Sequence, residues 1–238
     1  MASLFFYKNL VAIDKKKHKN YKVERNNNFE FAKNSISVLL TAVEFHESAR
    51  EFPILFTKGE NDKVIPAALL GLREAENLFV DQEMQWLGNY IPAFVRRYPF
   101  VFYKQGDTLT LCVDEDFPGF QKKTGEPLFL GEGEQSESLK QAMTFLVEYQ
   151  AQFKRTELFI EQLVRLELLK DYNAKVSMND GREFSIGGFM AVDEKKFQEI
   201  SDEDLSTLFR SGDLGLIYAH LASLKNLQAL VNRIPEKS

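Results

Sequence analysis

The residues best suited to recognise another molecule lie in one aromatic-rich stretch in the first half of the chain. This stretch contains Trp86 and Tyr90, followed by the adjacent pair Arg96 and Arg97. A guanidinium group can hold a carboxylate through two hydrogen bonds and can stack on an aromatic ring. Aromatic and arginine side chains are also common anchors of binding interfaces. The pattern predicts a surface that binds a ligand or partner, to which Arg73, ending a predicted strand, could contribute.

A structural interpretation of these arginines stands beside the functional one. One guanidinium would pair with an internal Asp or Glu, and another would be solvated at the surface. The sequence spacing is compatible with both interpretations.

His220 is the candidate for proton transfer. It lies three residues after Ile217 and four before Leu224, beside the apolar stripe of a predicted helix. An imidazole titrates near neutrality, so this side chain could move a proton or bind a ligand. The alternative is a hydrogen-bonded histidine at the edge of the core. An enzyme would need His220 and at least one of Arg96 and Arg97 to converge on one pocket.

Most motifs that carry chemistry are absent from the sequence. It contains no G-x-x-x-x-G-K-[ST] loop, no G-x-G-x-x-G fingerprint and no G-x-S-x-G elbow. Its three histidines, at positions 18, 46 and 220, are far apart in the sequence. A zinc site would therefore need carboxylate ligands from distant parts of the chain. We therefore expect neither a metal nor a cofactor.

The strand-end carboxylates and the single cysteine are weaker candidates for catalytic residues. Carboxylates end several predicted strands, and two of them could meet across neighbouring strands and raise a pKa. They are Asp81, Glu83, Asp114, Glu115 and Asp116. Cys112 lies in an alternating apolar run, where a buried small hydrophobe is expected rather than an exposed nucleophile.

The composition describes a folded protein and excludes several classes. The chain has 238 residues, of which 44% are hydrophobic and 27% charged, with 21 Phe and a net charge of −5. An acidic balance argues against a general nucleic-acid binder. No stretch approaches the about 18–20 apolar residues that span a bilayer, and no cleavable signal is readable, so a cytoplasmic location is expected. The many rings imply a sizeable core, with apolar surface left for a partner.

The elements that must position these residues indicate an α+β fold. An antiparallel sheet of about five strands is predicted in the first half, with strands at residues 54–57, 67–73, 77–81, 100–104 and 109–114. Short helices are predicted near residues 40–51 and, with Pro92 in the first turn, inside the insert 82–99. The second half reads as two helices or one kinked helix from Ser138 to about Lys170, a hairpin over 174–192, and helices from Ser201 and from residues 212–213. Strands clustered before helices favour α+β over a doubly wound sheet.

The domain organisation follows from the absence of a long linker. Residues 1–238 are predicted to form a single domain. It has two possible sub-domains, a sheet-rich part over residues 1–116 and a helix-rich part over residues 136–238, joined by a Gly- and Pro-containing loop.

The order of these segments resembles the SapC-like family of bacterial proteins over roughly residues 4–227. The stretches that carry the resemblance include Arg-Arg-Tyr-Pro-Phe at residues 96–100 and Ile-Tyr-Ala-His-Leu at residues 217–221. The resemblance implies an accessory role in a bacterial nutrient-uptake or surface-associated system. It supplies no catalytic residues.

Three functional hypotheses result. The first is a non-enzymatic accessory or binding protein that recognises a protein partner or a small acidic ligand through the aromatic and arginine-rich insert, with the last helix completing the contact surface. The second is an enzyme of uncharacterised type acting on an acidic small molecule, with His220 as its proton-transfer group. The third is a surface-layer component, which would self-assemble.

Overall fold

The protein combines antiparallel sheets with helices, which confirms the predicted α+β class. The computed structural model describes residues 6–24, 28–59, 62–106, 108–177 and 181–234. Within these ranges the strands are β1 (Leu10–Ala12), β2 (Lys22–Val23), β3 (Ser37–Leu39), β4 (Ile54–Lys58), β5 (Val64–Leu69), β6 (Phe100–Gln105), β7 (Thr108–Asp114), β8 (Phe120–Gln121), β9 (Glu126–Pro127), β10 (Leu169–Ser177) and β11 (Glu183–Val192). The α-helices are α1 (Phe45–Ser48), α2 (Ala93–Arg96), α3 (Glu137–Arg165), α4 (Glu194–Gln198), α5 (Asp202–Ser211), α6 (Asp213–Ser223) and α7 (Asn226–Val231).

The strands of the described residues form one large sheet and two small ones. The large sheet has five strands in the order β10-β11-β4-β5-β3, with antiparallel neighbours. Its strands β3, β4 and β5 come from the first half of the chain, and the hairpin β10–β11 comes from the second half. Strands β6 and β7 pair with β1 in a separate sheet of order β1-β7-β6, and β2 lies between β8 and β9 in the third.

Helix α3 is one continuous helix of 29 residues. It begins after Ser136, whose side chain accepts a hydrogen bond from the Leu139 amide at 3.2 Å, so the cap lies two residues before the predicted start. Apolar residues then recur every three or four positions, as one buried helix face requires. In the second half of the helix, the Thr156 hydroxyl donates to the Gln152 carbonyl at 2.7 Å and accepts from the Ala42 amide at 2.8 Å.

The buried side chains of the described residues form two clusters, and α3 contacts both. Its first half contributes Leu139 and Leu146 to the cluster against β6 and β7. Its second half contributes Phe159 and Leu163 to the larger cluster, which includes the large sheet, α1, α6 and α7. Both clusters contact the half-buried Tyr98. The segment just before β6, which carries the predicted binding residues, therefore lies where the two clusters meet.

The strand predicted at residues 77–81 is wrong. The Asn77 side chain accepts from the Phe79 amide at 2.9 Å and donates to the Ala32 carbonyl at 2.9 Å, which makes a turn instead. The chain folds back tightly just before it: a Cβ added to Gly71 would lie 2.2 Å from the Glu76 carbonyl oxygen. Local side-chain hydrogen bonds have outcompeted the strand propensity of the apolar residues between them.

Other predicted boundaries shift by a few residues. The helix predicted at residues 40–51 is a 3-10 turn, Ala42–Glu44, followed by α1. The last helix is two helices, α6 and α7, because the chain leaves the helical pattern at residues 224–225. The turns predicted at residues 59–62, 105–107 and 179–181 include residues 60, 61, 107, 179 and 180, which lie outside the described part of the chain.

Candidate functional site

Trp86 and Tyr90 are half-buried and contact the protein's own interior. The Trp86 ring stacks on Phe79, with centroids 5.9 Å apart, and its Nε1 donates to the Tyr90 carbonyl at 2.9 Å. The Tyr90 hydroxyl donates to Glu44 Oε1 at 2.9 Å. Burial is the main cause that raises the pKa of this hydroxyl, and the neighbouring Glu44 carboxylate adds to it. These two aromatic residues hold the insert against the core.

Arg96 and Arg73 are exposed, and each has a partner within the chain. The Arg96 Nε donates to the Ile91 carbonyl at 2.9 Å, and the guanidinium lies 5.2 Å from the Phe145 ring centroid. Arg73 lies 3.7 Å from the Glu76 carboxylate and 5.2 Å from the Phe184 ring centroid. Exposed pairs of this kind contribute about 0–1 kcal/mol to stability.

Arg97 differs from its neighbour because it is buried, with 3% of its surface exposed. Its guanidinium carbon lies 4.0 Å from the Phe94 ring centroid, 5.3 Å from that of Tyr149 and 5.9 Å from that of Tyr7. A cation over ring faces is attracted by their quadrupoles, more so where water is excluded. The adjacent arginines of the sequence therefore have separate environments, one aromatic and internal, the other at the surface.

Two tyrosine hydroxyls beside Arg97 are buried. The Tyr7 hydroxyl donates to the Phe100 carbonyl at 2.8 Å. Burial raises its pKa to about 12, and the Arg97 charge and a hydrogen bond with Arg97 oppose the rise. Burial likewise raises the pKa of Tyr149, again against the Arg97 charge. Both hydroxyls are therefore protonated near neutral pH, and each can act as a hydrogen-bond donor.

The Tyr149 hydroxyl has no hydrogen-bond partner among the described residues. The residue is only 6% exposed. A buried polar atom without a partner costs about 1–3 kcal/mol, so it is uncommon in a folded protein. Its position beside a buried guanidinium marks this part of the molecule as a candidate binding site.

Arg97 and Tyr149 line a cleft of about 200 Å³ between α3 and the β6–β7 pair. Apolar side chains form part of its wall, and two exposed lysines, Lys104 and Lys154, lie at its rim. Glu157, also at the rim, lies 3.6 Å from Lys63. The cleft therefore presents more positive than negative charge, in a chain whose net charge is −5.

A second, larger cleft of about 440 Å³ lies beside Phe6, Phe31 and Tyr98. Its wall is mostly polar, and one of its lysines, Lys33, lies 3.1 Å from Glu30. No residue in it combines a charge with burial as Arg97 does, within the described ranges. The first cleft is therefore the better candidate site.

Glu44 is a buried carboxylate that the sequence analysis did not identify. It is 3% exposed. Its Oε2 accepts from the amide and the hydroxyl of Thr41, both at 2.8 Å, and its Oε1 accepts from the Ala93 amide at 2.7 Å and from Tyr90. The spacing Thr41-x-x-Glu44 is that of a capping box, which could have indicated this inward position. Glu44 fixes the start of α2, the helix that ends beside Arg97.

The strand-end carboxylates form no catalytic pair. Asp114 is fully buried and accepts four hydrogen bonds. Glu115 Oε1 instead contacts His18 Nε2 at 2.8 Å and Lys17 Nζ at 2.7 Å. Hydrogen bonds from these two groups lower the pKa of Glu115. Asp81 accepts from the main-chain amides of Glu83 and Gln85, which closes a turn.

Cys112 is buried, as expected, and burial raises the pKa of its thiol, which disfavours a nucleophilic thiolate. Among the described residues, no group of three or more His, Cys, Asp or Glu side chains is arranged to hold a metal ion.

His220 lies in the closed core between α6 and the large sheet. Its Nδ1 donates to the Ile54 carbonyl at 2.8 Å, and its Nε2 accepts from the Val192 amide at 3.0 Å. The side chain is 0% exposed, so neither nitrogen is available to a substrate. The enzyme hypothesis with His220 as proton-transfer group does not fit this geometry. The hydrogen-bonded interpretation does, with the residue deeper than the core edge where it was expected.

This histidine makes stability depend on pH. Burial lowers the pKa of His220 from 6.5 to about 4, and the Ile54 carbonyl partly opposes the shift. Between these values the unfolded chain binds a proton that the folded chain does not, so the free energy of unfolding falls as pH falls through this window. The His220 contribution is present in full above about pH 6.5. It should lose about 3 kcal/mol by pH 4.

Urea unfolding of the wild type and of His220→Gln, at intervals from pH 7 to pH 4, measures this contribution. Other carboxylates titrate in both proteins, so the difference between the two pH profiles isolates the histidine. We expect a flatter profile for His220→Gln. Parallel profiles would contradict the assignment.

The comparisons with known proteins identify one family. A family model described as SapC matches residues 13–230 of the chain. No curated protein and no solved structure gives a significant match. In the described part of the chain, no helix has both the length and the apolar character that crossing a membrane requires.

Proposed function

Since the chain belongs to the SapC family, we propose that it is a non-enzymatic accessory protein that binds a small acidic ligand in the cleft beside Arg97. The observation that carries the proposal is a buried guanidinium in the wall of a cleft that is also lined by Tyr149, whose buried hydroxyl has no partner among the described residues. Binding, rather than catalysis, is favoured because His220, the candidate for proton transfer that the sequence analysis named, is enclosed elsewhere in the core.

The electrostatics of the cleft support an anion. Arg97 lies at its enclosed inner end, where low polarity strengthens its interaction with an opposite charge. The rim lysines Lys104 and Lys154 add positive potential, and the Lys63–Glu157 contact reduces the effect of the one carboxylate there. A positively charged cleft in an acidic protein attracts an anion to one place and repels it elsewhere.

The part of the insert that we propose to contact the ligand is smaller than the sequence pattern indicated. Arg97 lines the cleft, whereas Trp86, Tyr90, Arg96 and Arg73 do not. These four support the fold or lie at the surface. The insert therefore brings one residue to the site, and the middle of α3 brings five of the other ten.

The wider role stays a prediction. The family resemblance implies a bacterial nutrient-uptake or surface-associated system, and a small organic acid is a ligand compatible with uptake. A cytoplasmic location and a protein partner are also predictions.

Replacement of Arg97 tests the proposal. Isothermal titration of the purified protein with benzoate, hexanoate, acetate and succinate should detect binding of at least one acid. Arg97→Met should weaken that binding at least about tenfold, because the loss of a buried charge partner typically costs 2–5 kcal/mol. Arg96→Met is the matched control: it removes the adjacent guanidinium, which does not line the cleft, and should leave the affinity unchanged.

Circular dichroism checks that each variant is folded. If Arg97→Met does not fold, Arg97→Lys keeps the charge and loses the forked geometry, so affinity should still fall. The proposal fails if none of the four acids binds, or if Arg96→Met weakens binding as much as Arg97→Met does.

A further inference from the structure

We infer that the ligand of this cleft is a monocarboxylate whose apolar body has the size of a single six-membered ring. The inference rests on the proposed function and names the chemical class of its ligand. Three features of the cleft carry it: its volume, the two donors at its enclosed end, and the apolar side chains between that end and the rim.

The volume sets the size of the ligand. The cleft measures about 200 Å³. A cavity of about 150 Å³ holds one benzene molecule, so the remaining space accommodates a carboxylate group. Sites for larger cofactors and drug-sized ligands usually measure about 300–1,000 Å³. The space in the cleft therefore matches one ring with its carboxylate group.

The enclosed end offers two donors to one carboxylate. Both residues line the cleft, and the Arg97 guanidinium carbon lies 5.3 Å from the centroid of the Tyr149 ring. The two residues are 3% and 6% exposed. A carboxylate oxygen could accept a charge-assisted hydrogen bond from Arg97 and a second bond from the Tyr149 hydroxyl, which has no partner among the described residues.

The apolar side chains favour a ring over a second charge. Phe102 and Phe153 line the cleft together with Leu39 and Leu109, and Leu109 is 53% exposed. A ligand ring placed here would cover apolar surface that is otherwise in contact with water. A second carboxylate at the same position would lose its hydration without a buried cation to compensate.

The rim does not replace that missing cation. Lys104 and Lys154 are exposed, so water screens their charges and neither forms a buried pair with a second carboxylate. The cleft therefore combines one enclosed positive charge with one apolar wall. This combination matches an acid with one charge and one apolar body.

A set of small probes tests the inference on the full chain. We expect benzoate and cyclohexanecarboxylate to bind at least tenfold more tightly than succinate and inorganic phosphate. Benzamide has the shape of benzoate without its charge and should bind at least tenfold more weakly than benzoate. Isothermal titration, or chemical-shift perturbation where affinity is low, measures all five dissociation constants.

Two variants separate the donor from the apolar wall. Tyr149→Phe removes only the hydroxyl, and it should weaken benzoate about tenfold. Because that hydroxyl has no partner in the described part of the protein, the melting temperature should stay unchanged or rise. Leu109→Ser should weaken benzoate and leave acetate unaffected. Leu130→Ser, at an equally exposed leucine outside the cleft, is the control.

The outcomes distinguish this inference from the proposed function. If succinate or phosphate binds best and Arg97→Met removes that binding, the binding function stands and the ligand class is wrong. If benzamide equals benzoate, or if no probe binds, the acidic-ligand function itself fails. If Tyr149→Phe retains the full affinity for benzoate, the assignment of the second donor is overturned.

Discussion

Replacement of Glu44 by alanine should lower the free energy of unfolding by about 3–5 kcal/mol, because each buried donor left without an acceptor costs about 1–3 kcal/mol. The carboxylate accepts from four groups: the Thr41 amide and hydroxyl, the Tyr90 hydroxyl and the Ala93 amide. Bulk water does not reach these donors in the folded protein, where Glu44 is 3% exposed. Urea unfolding followed by circular dichroism measures the change.

The matched control is Glu47→Ala, three residues further along the same segment. Glu47 is exposed and forms a surface ion pair with Arg50 at 3.0 Å. Its loss should cost less than about 1 kcal/mol. Equal effects of the two substitutions would show that the Glu44 hydrogen bonds contribute no more than an exposed pair. Glu44→Gln, which keeps the side-chain volume, should give an intermediate result and can be measured even if the alanine variant does not fold.

Replacement of Asp114 by asparagine should destabilise the protein by about 3 kcal/mol, although it changes the side-chain volume very little. The two carboxylate oxygens of this fully buried residue each accept two hydrogen bonds. The donors are the amides of Lys8, Asn9 and Asp116 and the hydroxyl of Tyr98. An asparagine amide group would place its own hydrogens against two of these donors.

Asp116→Asn is the control for this substitution. Asp116 is exposed and accepts one side-chain hydrogen bond, from Asn9 at 3.2 Å. The midpoint of urea denaturation should therefore shift for Asp114→Asn and hardly at all for Asp116→Asn. In addition, amide exchange at residues 8 and 9 should become faster in Asp114→Asn, since these amides lose their acceptor. An unchanged exchange rate would contradict the assigned role.

The sequence alone was sufficient for features that depend on neighbours along the chain. The α+β class, the apolar face of α3, the cap at Ser201 and the hairpin β10–β11 all follow from periodicity, capping residues or turn residues within a few positions. At residues 77–81 two local signals compete, strand propensity and the side-chain hydrogen bonds of Asn77, and the strand predicted there is wrong.

Only the tertiary structure decided which polar groups are enclosed and which strands pair. Glu44 meets an amide 49 residues away, Asp114 one 106 residues away, and His220 a carbonyl 166 residues away. The burial and hydrogen bonding of a side chain depend on such distant partners. The residues next to that side chain in the sequence do not indicate which partners these are. For the same reason, the adjacent Arg96 and Arg97 look equivalent in the sequence. Packing of α3 against the β6–β7 pair encloses one of them at a cleft and leaves the other at the surface.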